Sequence, residues 1–296
     1  SGANMSSFET PEPIILSIDL SQGAVHVIAS DRTDTVVAVN PSDRDRPADI
    51  EAAHKTSVDL SNGVLSIRAP RPRGIAGHLG WGRSGSVDLT VELPAGSSLR
   101  AAAGLADFRC DGRLGDVEVR TGVGDVRLDE TGALRVHSGA GSVTVGEVFG
   151  SAEVVTAGEV TIDTVMGEAD VKNQNGRTSI GRGGGTVRVR SANGDVTIDQ
   201  AERDVTVTTA NGDIRLGRIT RGSVTLETSF GRLEIGIEEG TAAWVDATTK
   251  FGRIQSDLPP ADDPEPSTET VQVHARTAFG DVLIARSAPP SQQGDT

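Results

Sequence analysis

Residues 188–217 read RVRSANGDVTIDQAERDVTVTTANGDIRLG, from Arg188 to Gly217. Ser191-Ala192-Asn193-Gly194-Asp195-Val196 returns 18 residues later as Thr209-Ala210-Asn211-Gly212-Asp213-Ile214, with strand-like Val205-Thr206-Val207 between the copies. The underlying beat is therefore nine residues, two beats to a repeat. Asn175-Gly176, Asn193-Gly194 and Asn211-Gly212 mark corners and predict a left-handed backbone there. A β-branched residue forced into that conformation costs roughly 1–2 kcal/mol.

Working outward, the same beat governs the chain from Leu99 to Leu233. First inward positions fall at Leu99, Phe108, Val117, Val126, Leu134 and Val143, and again at Val196, Val205, Ile214, Val224 and Leu233. A second follows two residues later, as at Val119, Leu128, Ile198, Val207 and Leu216, which is the alternation of a strand with one buried face. Cys110 keeps this register and reads as a small core side chain rather than a nucleophile. Toward the C-terminus Trp244 and Ile254 stay near register, and the acidic, proline-rich DLPPADDPEPSTE (Asp257 to Glu269) reads as a loop. The motif resumes at Val271-Val273 and Phe279 to Ile284.

An antiparallel meander would also repeat every 18 residues, but it leaves one apolar face uncovered. A parallel β-solenoid with two short strands per coil of about 18 residues packs its two inward faces on each other. The sequence therefore predicts an all-β chain whose solenoid spans 97–286, with a tag remnant and tail at 1–10 and a disordered tail at 287–296. Residues 11–96 alternate without the beat, as in Val87-Leu89-Val91-Leu93, and read as an antiparallel sheet capping the first edge. Ser21-Gln22-Gly23 and Ser61-Asn62-Gly63 sit where its hairpin turns would fall, and Phe279 to Ile284 is expected to cap the other end.

Within that sheet lies RAPRPRGIAGHLGWGRSGS, Arg68 to Ser86, with four arginines and no acid. Its first reading is a solvated loop. Its functional reading is a contact patch for an acidic partner, carried by Arg71, Arg73, Trp81 and Arg83. The glycines do not form a phosphate-cradling loop, since no Gly-Lys-Ser/Thr follows.

A net charge of -14 argues against nucleic-acid binding and against anionic lipid. One cysteine makes no internal disulfide, and no run approaches 18 apolar residues, so the sequence predicts no membrane-spanning helix. Beyond Met5 there is neither a basic start nor an apolar leader core, and the expected location is the cytoplasm.

No catalytic, cofactor-binding or metal-binding set emerges. The histidines His26, His54, His78, His137 and His274 are scattered, and His137 alternates with inward Leu134 and Val136, so it should face solvent. Asp116, Asp125, Asp195, Asp213 and Asp281 each follow a corner glycine. Calcium would need every corner to carry such an acid, yet Arg177, Arg232 and Arg253 stand at equivalent places. The simpler reading is that these carboxylates accept hydrogen bonds from the corner backbone.

FETPEPI (from Phe8), ASDRTDTVVAVNPSD (from Ala29), TGVGDVRLD (from Thr121), TANGDIRLG (from Thr209) and RTAFGDVLI (from Arg276) closely resemble a bacterial β-strand-repeat family often labelled "putative adhesin". The resemblance covers Phe8 to about Arg286 and implies a β-solenoid or β-helix with no established enzymatic activity and no catalytic residues to carry over. The label implies surface exposure, from which this chain departs in showing no export signal. The expected function is a non-catalytic scaffold or protein–protein interaction module that takes no cofactor and is able to form homo-oligomers by end or edge pairing. A surface adhesin or ligand-binding protein is the alternative, and a carbohydrate-active β-helix enzyme the weaker one.

Overall fold

The computed structural model describes residues 4–70, 85–258 and 269–287. They fall into two compact units, residues 1–157 and 158–296. In the first, β1 (Asn4–Glu9), β2 (Ile15–Ser30) and β3 (Asp34–Pro41) precede the one described helix, α1 (Pro47–Lys55). Then follow β4 (Ser57–Ser61), β5 (Val64–Arg68), β6 (Val87–Pro94), β7 (Ser98–Arg113), β8 (Val117–Val123), β9 (Val126–Thr131), β10 (Leu134–Ala140), β11 (Val143–Val148) and β12 (Ala152–Thr156).

The long strands β2 and β7 organise this unit. They run parallel over their whole length, from Ile15 beside Ser98 to Ile28 beside Asp111, and each turns a corner midway. Their first halves extend one row of strands, β4–β5–β2–β7–β8–β10–β12. Their second halves extend another, β1–β3–β6–β2–β7–β9–β11. From β7 onward the pairing is parallel with offsets of 17 or 18 residues, as Leu99–Val117–Leu134 show. These are stacked solenoid rungs. Their inward residues form the core, with Leu99 and Val126 0% exposed and Phe108 and Cys110 1%.

Antiparallel strands stand at the N-terminal edge, as expected, but only as the outermost pairings β1–β3, β3–β6 and β4–β5. Asn62-Gly63 makes the β4–β5 hairpin, with φ of +52° and +74°. Ser21-Gln22-Gly23 does not make a hairpin. It is the corner of the continuous strand β2, because an alternating run on each side of it fits the same parallel neighbour. Asn4–Glu9, expected as tail, is edge strand β1. Helix α1 was absent from the sequence reading, although Pro47 at its first turn and His54 and Lys55 in its last are ordinary helix signals. Buried Asp49 fixes it in place by accepting hydrogen bonds from the backbone N–H groups of Ser86 (3.0 Å) and Asp43 (3.2 Å).

The second unit comprises β13 (Val160–Val165), β14 (Ala169–Asn175), β15 (Thr178–Gly183), β16 (Val187–Asn193), β17 (Val196–Ala201), β18 (Val205–Asn211), β19 (Ile214–Ile219), β20 (Gly222–Phe230), β21 (Leu233–Ile237), β22 (Ala242–Phe251), β23 (Ile254–Ser256), β24 (Thr270–Phe279) and β25 (Val282–Arg286). Two parallel rows result, β14–β16–β18–β20–β24–β22 and β13–β15–β17–β19–β21–β25–β23. Ile198 and Leu216 are each 1% exposed, as the inward pattern requires.

The rungs here do not stack in sequence order. β24 and β25 insert between β20–β21 and β22–β23, so Phe279 to Ile284 is interior and does not cap the end. Burial explains the exchange. Val273, Ala275, Val282 and Ile284 are at most 1% exposed in the inserted coil. The outer coil offers Ile254, 47% exposed, then Ser256, and it carries Trp244 at 76%. Taking the more apolar coil inside removes more surface from water, at about 25 cal/mol per Å².

Corners hold the rungs in register. At Gly212 φ is +145°, and a Cβ there would lie 2.2 Å from the carbonyl oxygen of Gly194 on the preceding rung. Positive φ was expected, but this value belongs to the extended glycine-only region rather than to the left-handed helical one. At three corners a threonine three residues before the glycine reaches to the neighbouring rung. Thr228 Oγ1 donates to the Gly212 carbonyl (3.2 Å), Thr277 Oγ1 to that of Gly231 (3.0 Å) and Thr249 Oγ1 to that of Gly280 (2.9 Å).

Gly212→Ala is expected to destabilise the second unit by roughly 2–4 kcal/mol, combining backbone strain with the close contact. Thr228→Val should cost about 1–2 kcal/mol by leaving a buried carbonyl without its donor. Urea unfolding measures both, and a Gly212→Ala midpoint equal to wild type would contradict this account of the corner.

Candidate functional site

The outward face of the first unit's β4–β12 row carries an open groove of about 600 Å³. Ser17, Asp19, Arg68, Arg100, Ala102, Glu118 and Arg120 are among its lining residues. A second depression of about 580 Å³ shares Ala102 and Arg120 and continues over Gly122, His137, Gly139 and Val155. Strand register produces this line. Arg68 lies beside Asp19, Asp19 beside Ala102, Ala102 beside Arg120, Arg120 beside His137 and His137 beside Val155.

The floor is low because small residues occupy outward positions. A Cβ on Gly122 would come within 2.5 Å of the Gly104 carbonyl oxygen, and one on Gly139 within 2.5 Å of that of Gly122. The close stacking of rungs thus excludes side chains from the floor. Arginines stand around it. Glu118 sits beside both Arg100 and Arg135 in register, yet its carboxylate pairs with Arg120 (2.8 Å), while Arg135 pairs with Glu153 (2.9 Å). Arg100 and the Arg68 guanidinium are left without an ion pair among the described residues. His137 faces outward as expected but is half-buried in the groove, and its Nδ1 is buried with no hydrogen-bond partner.

Arg71, Arg73, Trp81 and Arg83, read as a partner contact, lie outside the described residues. Arg68, the first arginine of that stretch, is on the groove wall. Arg100 and Arg120 were missed by the sequence reading, because they look like any outward charge until the register sets them around Ala102.

The corner aspartates form no site. Asp125 Oδ1 accepts from the Ser142 backbone N–H (2.7 Å) and hydroxyl (2.8 Å), and Asp195 Oδ1 from the Asp213 N–H (2.9 Å). Asp213 and Asp281 accept likewise from the N–H groups of Arg232 (2.7 Å) and Arg253 (2.8 Å). Each carboxylate ties its corner to the next rung. Among the described residues no group of three or more His, Cys, Asp or Glu is arranged to hold a metal. No helix of the described residues is long and apolar enough to cross a membrane. Cys110 is buried, and desolvation pushes its thiol well above the usual range, with Asp111 and Asp129 adding to the rise.

At another corner row, Asn193 Nδ2 donates to Asn175 Oδ1 (3.1 Å) and Asn211 Nδ2 to Asn193 Oδ1 (2.9 Å). Phe230 stands next in register, and its ring stacks on Phe279, which stacks on Phe251, with centroids 4.9 Å apart in both pairs.

Hydrogen bonds from the Ser142 backbone and hydroxyl hold the Asp125 carboxylate below the usual range, and Arg127 helps. The unfolded chain therefore binds the proton first as pH falls. The stabilisation is fully present above an ordinary aspartate value of about 3.9 and is lost as pH falls through the lower folded value. Asp125→Asn should flatten the dependence of stability on pH below about 4, measured by urea unfolding across a pH series. In native buffer Cys110 should resist thiol reagents, and it should react once the chain is unfolded.

Comparison with known proteins agrees with the fold. A family profile described as Toastrack DUF4097 matches residues 15–287. Among solved structures, similarity is found to a "putative adhesin" from Bacteroides fragilis NCTC 9343, at 10% identity over 96% of this chain and 97% of that chain, with a TM-score of 0.36. A "putative adhesin" from Parabacteroides merdae ATCC 43184 is 11% identical over 96% of each chain, with a TM-score of 0.31. A "putative lipid binding protein" from Parabacteroides distasonis ATCC 8503 is 9% identical over 97% of this chain and 96% of that chain, with a TM-score of 0.33. A search of curated proteins finds no match.

Proposed function

Because the chain belongs to the Toastrack DUF4097 family, a family of unknown function, we propose that it is a non-catalytic β-solenoid interaction module whose partner is a protein. The observation that carries this reading is the groove. It is open, it lies across strands whose backbone is already paired, and its described lining sets the guanidiniums of Arg68, Arg100 and Arg120 against two carboxylates, Asp19 and Glu118, of which Glu118 is held by Arg120. A general acid and base need matched positions about a reacting bond. Crosslinking in the native cell should recover a protein partner. Turnover of any substrate by the purified chain, abolished by Arg100→Ala, would overturn the reading.

Its place in the cytoplasm is part of this proposal. Adhesion at a cell surface is the second reading, and it draws on the exposed stack of Phe230, Phe279 and Phe251, an apolar stripe of the kind that marks contact surfaces. Cell fractionation separates the two, since recovery in the cytosol alone removes the adhesin.

Self-association belongs to the same proposal. The β22–β23 rung has an open edge, and its inward Val245 and Ile254 keep contact with water where Val273 and Val282, one rung inside, are sealed. Light scattering should show dimers as concentration rises. Ile254→Lys should return the chain to monomers, and a monomer at every concentration would exclude pairing at this end.

A further inference from the structure

We propose that the groove of the first unit binds an extended acidic peptide segment of a protein partner, with Arg68 and Arg100 as its anchoring cations. The inference rests on the interaction-module reading and names the chemistry of the partner.

Three observations converge on it. First, Arg68 and Arg100 have no ion pair among the described residues, although 42 acids are available in the chain against 28 Lys and Arg. In an acidic protein, arginines that stay unpaired on the wall of one depression are placed to meet an outside anion. Their planar forks match carboxylates in bidentate fashion. Arg120 holds Glu118 and so keeps that carboxylate from neutralising Arg100.

Second, the groove has the dimensions of a strand-like ligand. Its lining passes over six adjacent strands, β5, β2, β7, β8, β10 and β12. At about 4.8 Å per strand this is roughly 24 Å from first to last, the length of about seven extended residues. The glycine and alanine floor admits a backbone lying flat.

Third, the lining excludes the other polyanions. None of its described lining residues is Phe, Tyr or Trp, the rings on which sugars usually stack. A net charge of -14 repels nucleic acid as a whole. A short peptide meets a different field. At physiological ionic strength the Debye length is about 8 Å, so the local lining dominates, and there Arg68, Arg100 and Arg120 stand against Asp19 and Glu118.

The test uses the full chain and a fluorescein-labelled octaglutamate, read by anisotropy at low and physiological salt. Saturable binding is expected, weakened by salt, and reduced at least tenfold in Arg68→Glu/Arg100→Glu. The control Arg190→Glu changes an exposed arginine of the second unit that likewise has no ion pair among the described residues, and it should leave binding unchanged. Equal loss in the control, or no saturable binding at low salt, would overturn the proposal. So would tighter binding of a sulfated oligosaccharide than of octaglutamate. If octaglutamate fails while crosslinking still recovers a partner, the interaction module stands and the acidic-peptide assignment falls.

Discussion

A glycine Cα resting against the carbonyl of the rung before it is the constraint on which each unit depends. At Gly194, Gly212, Gly231 and Gly280 a Cβ would lie 2.0–2.2 Å from that oxygen. No other residue type lets successive corners approach at strand spacing. Once that approach is made, the rest of the corner chemistry has only one direction in which to work. The hydroxyls of Thr228, Thr249 and Thr277, the carboxylates of Asp125, Asp195, Asp213 and Asp281 and the amides of Asn193 and Asn211 find partners on a neighbouring rung. A coil that stood alone would leave those groups unsatisfied, and stability is therefore a property of stacking.

Magnitudes assign the roles. A buried Val, Ile or Leu side chain contributes about 1.5–3 kcal/mol, whereas an exposed ion pair such as Arg135–Glu153 contributes about 0–1 kcal/mol. The aliphatic interior thus supplies the stabilisation, and the corners specify the register in which it is collected. The same ranking accounts for the order of the last two coils. A well-packed interior coil outweighs the longer path the chain must take to reach it, because loop closure grows only as the logarithm of length. The poorer coil is left at the end, where Phe251 terminates a row of stacked rings that replaces the asparagine ladder.

Much of this was legible in the sequence. Spacing alone identifies Val126, Ile198 and Leu216 as core, Cys110 as packing and the aspartates as corner ligands. The failures have physical causes. Ser21-Gln22-Gly23 has hairpin composition, yet local composition does not say whether the following strand turns back or turns a corner. Helix α1 is nine residues long and too short to impose a period. The order of rungs depends on comparing the burial of two coils, a property of the stack and not of either segment. Thr228, Thr249 and Thr277 each stand three residues before a glycine, and alternation alone does not show that their hydroxyls cross to the neighbouring rung. The groove was the least accessible feature, since Arg68 and Arg100 are 32 positions apart and meet only through β2.

The groove follows from the corner constraint. Rungs that stack closely enough to need Gly104, Gly122 and Gly139 also leave a lane in which nothing projects from the sheet. On an outer surface of alternating charges, such a lane lets a ligand touch backbone and several side chains together. Its charge then depends on which neighbours pair. Glu118 is placed to pair with Arg100 or Arg120, and its choice of Arg120 leaves Arg100 open. A structural necessity of the solenoid has thus created a recess, and the pairing of Glu118 with Arg120 leaves the Arg100 guanidinium available within it.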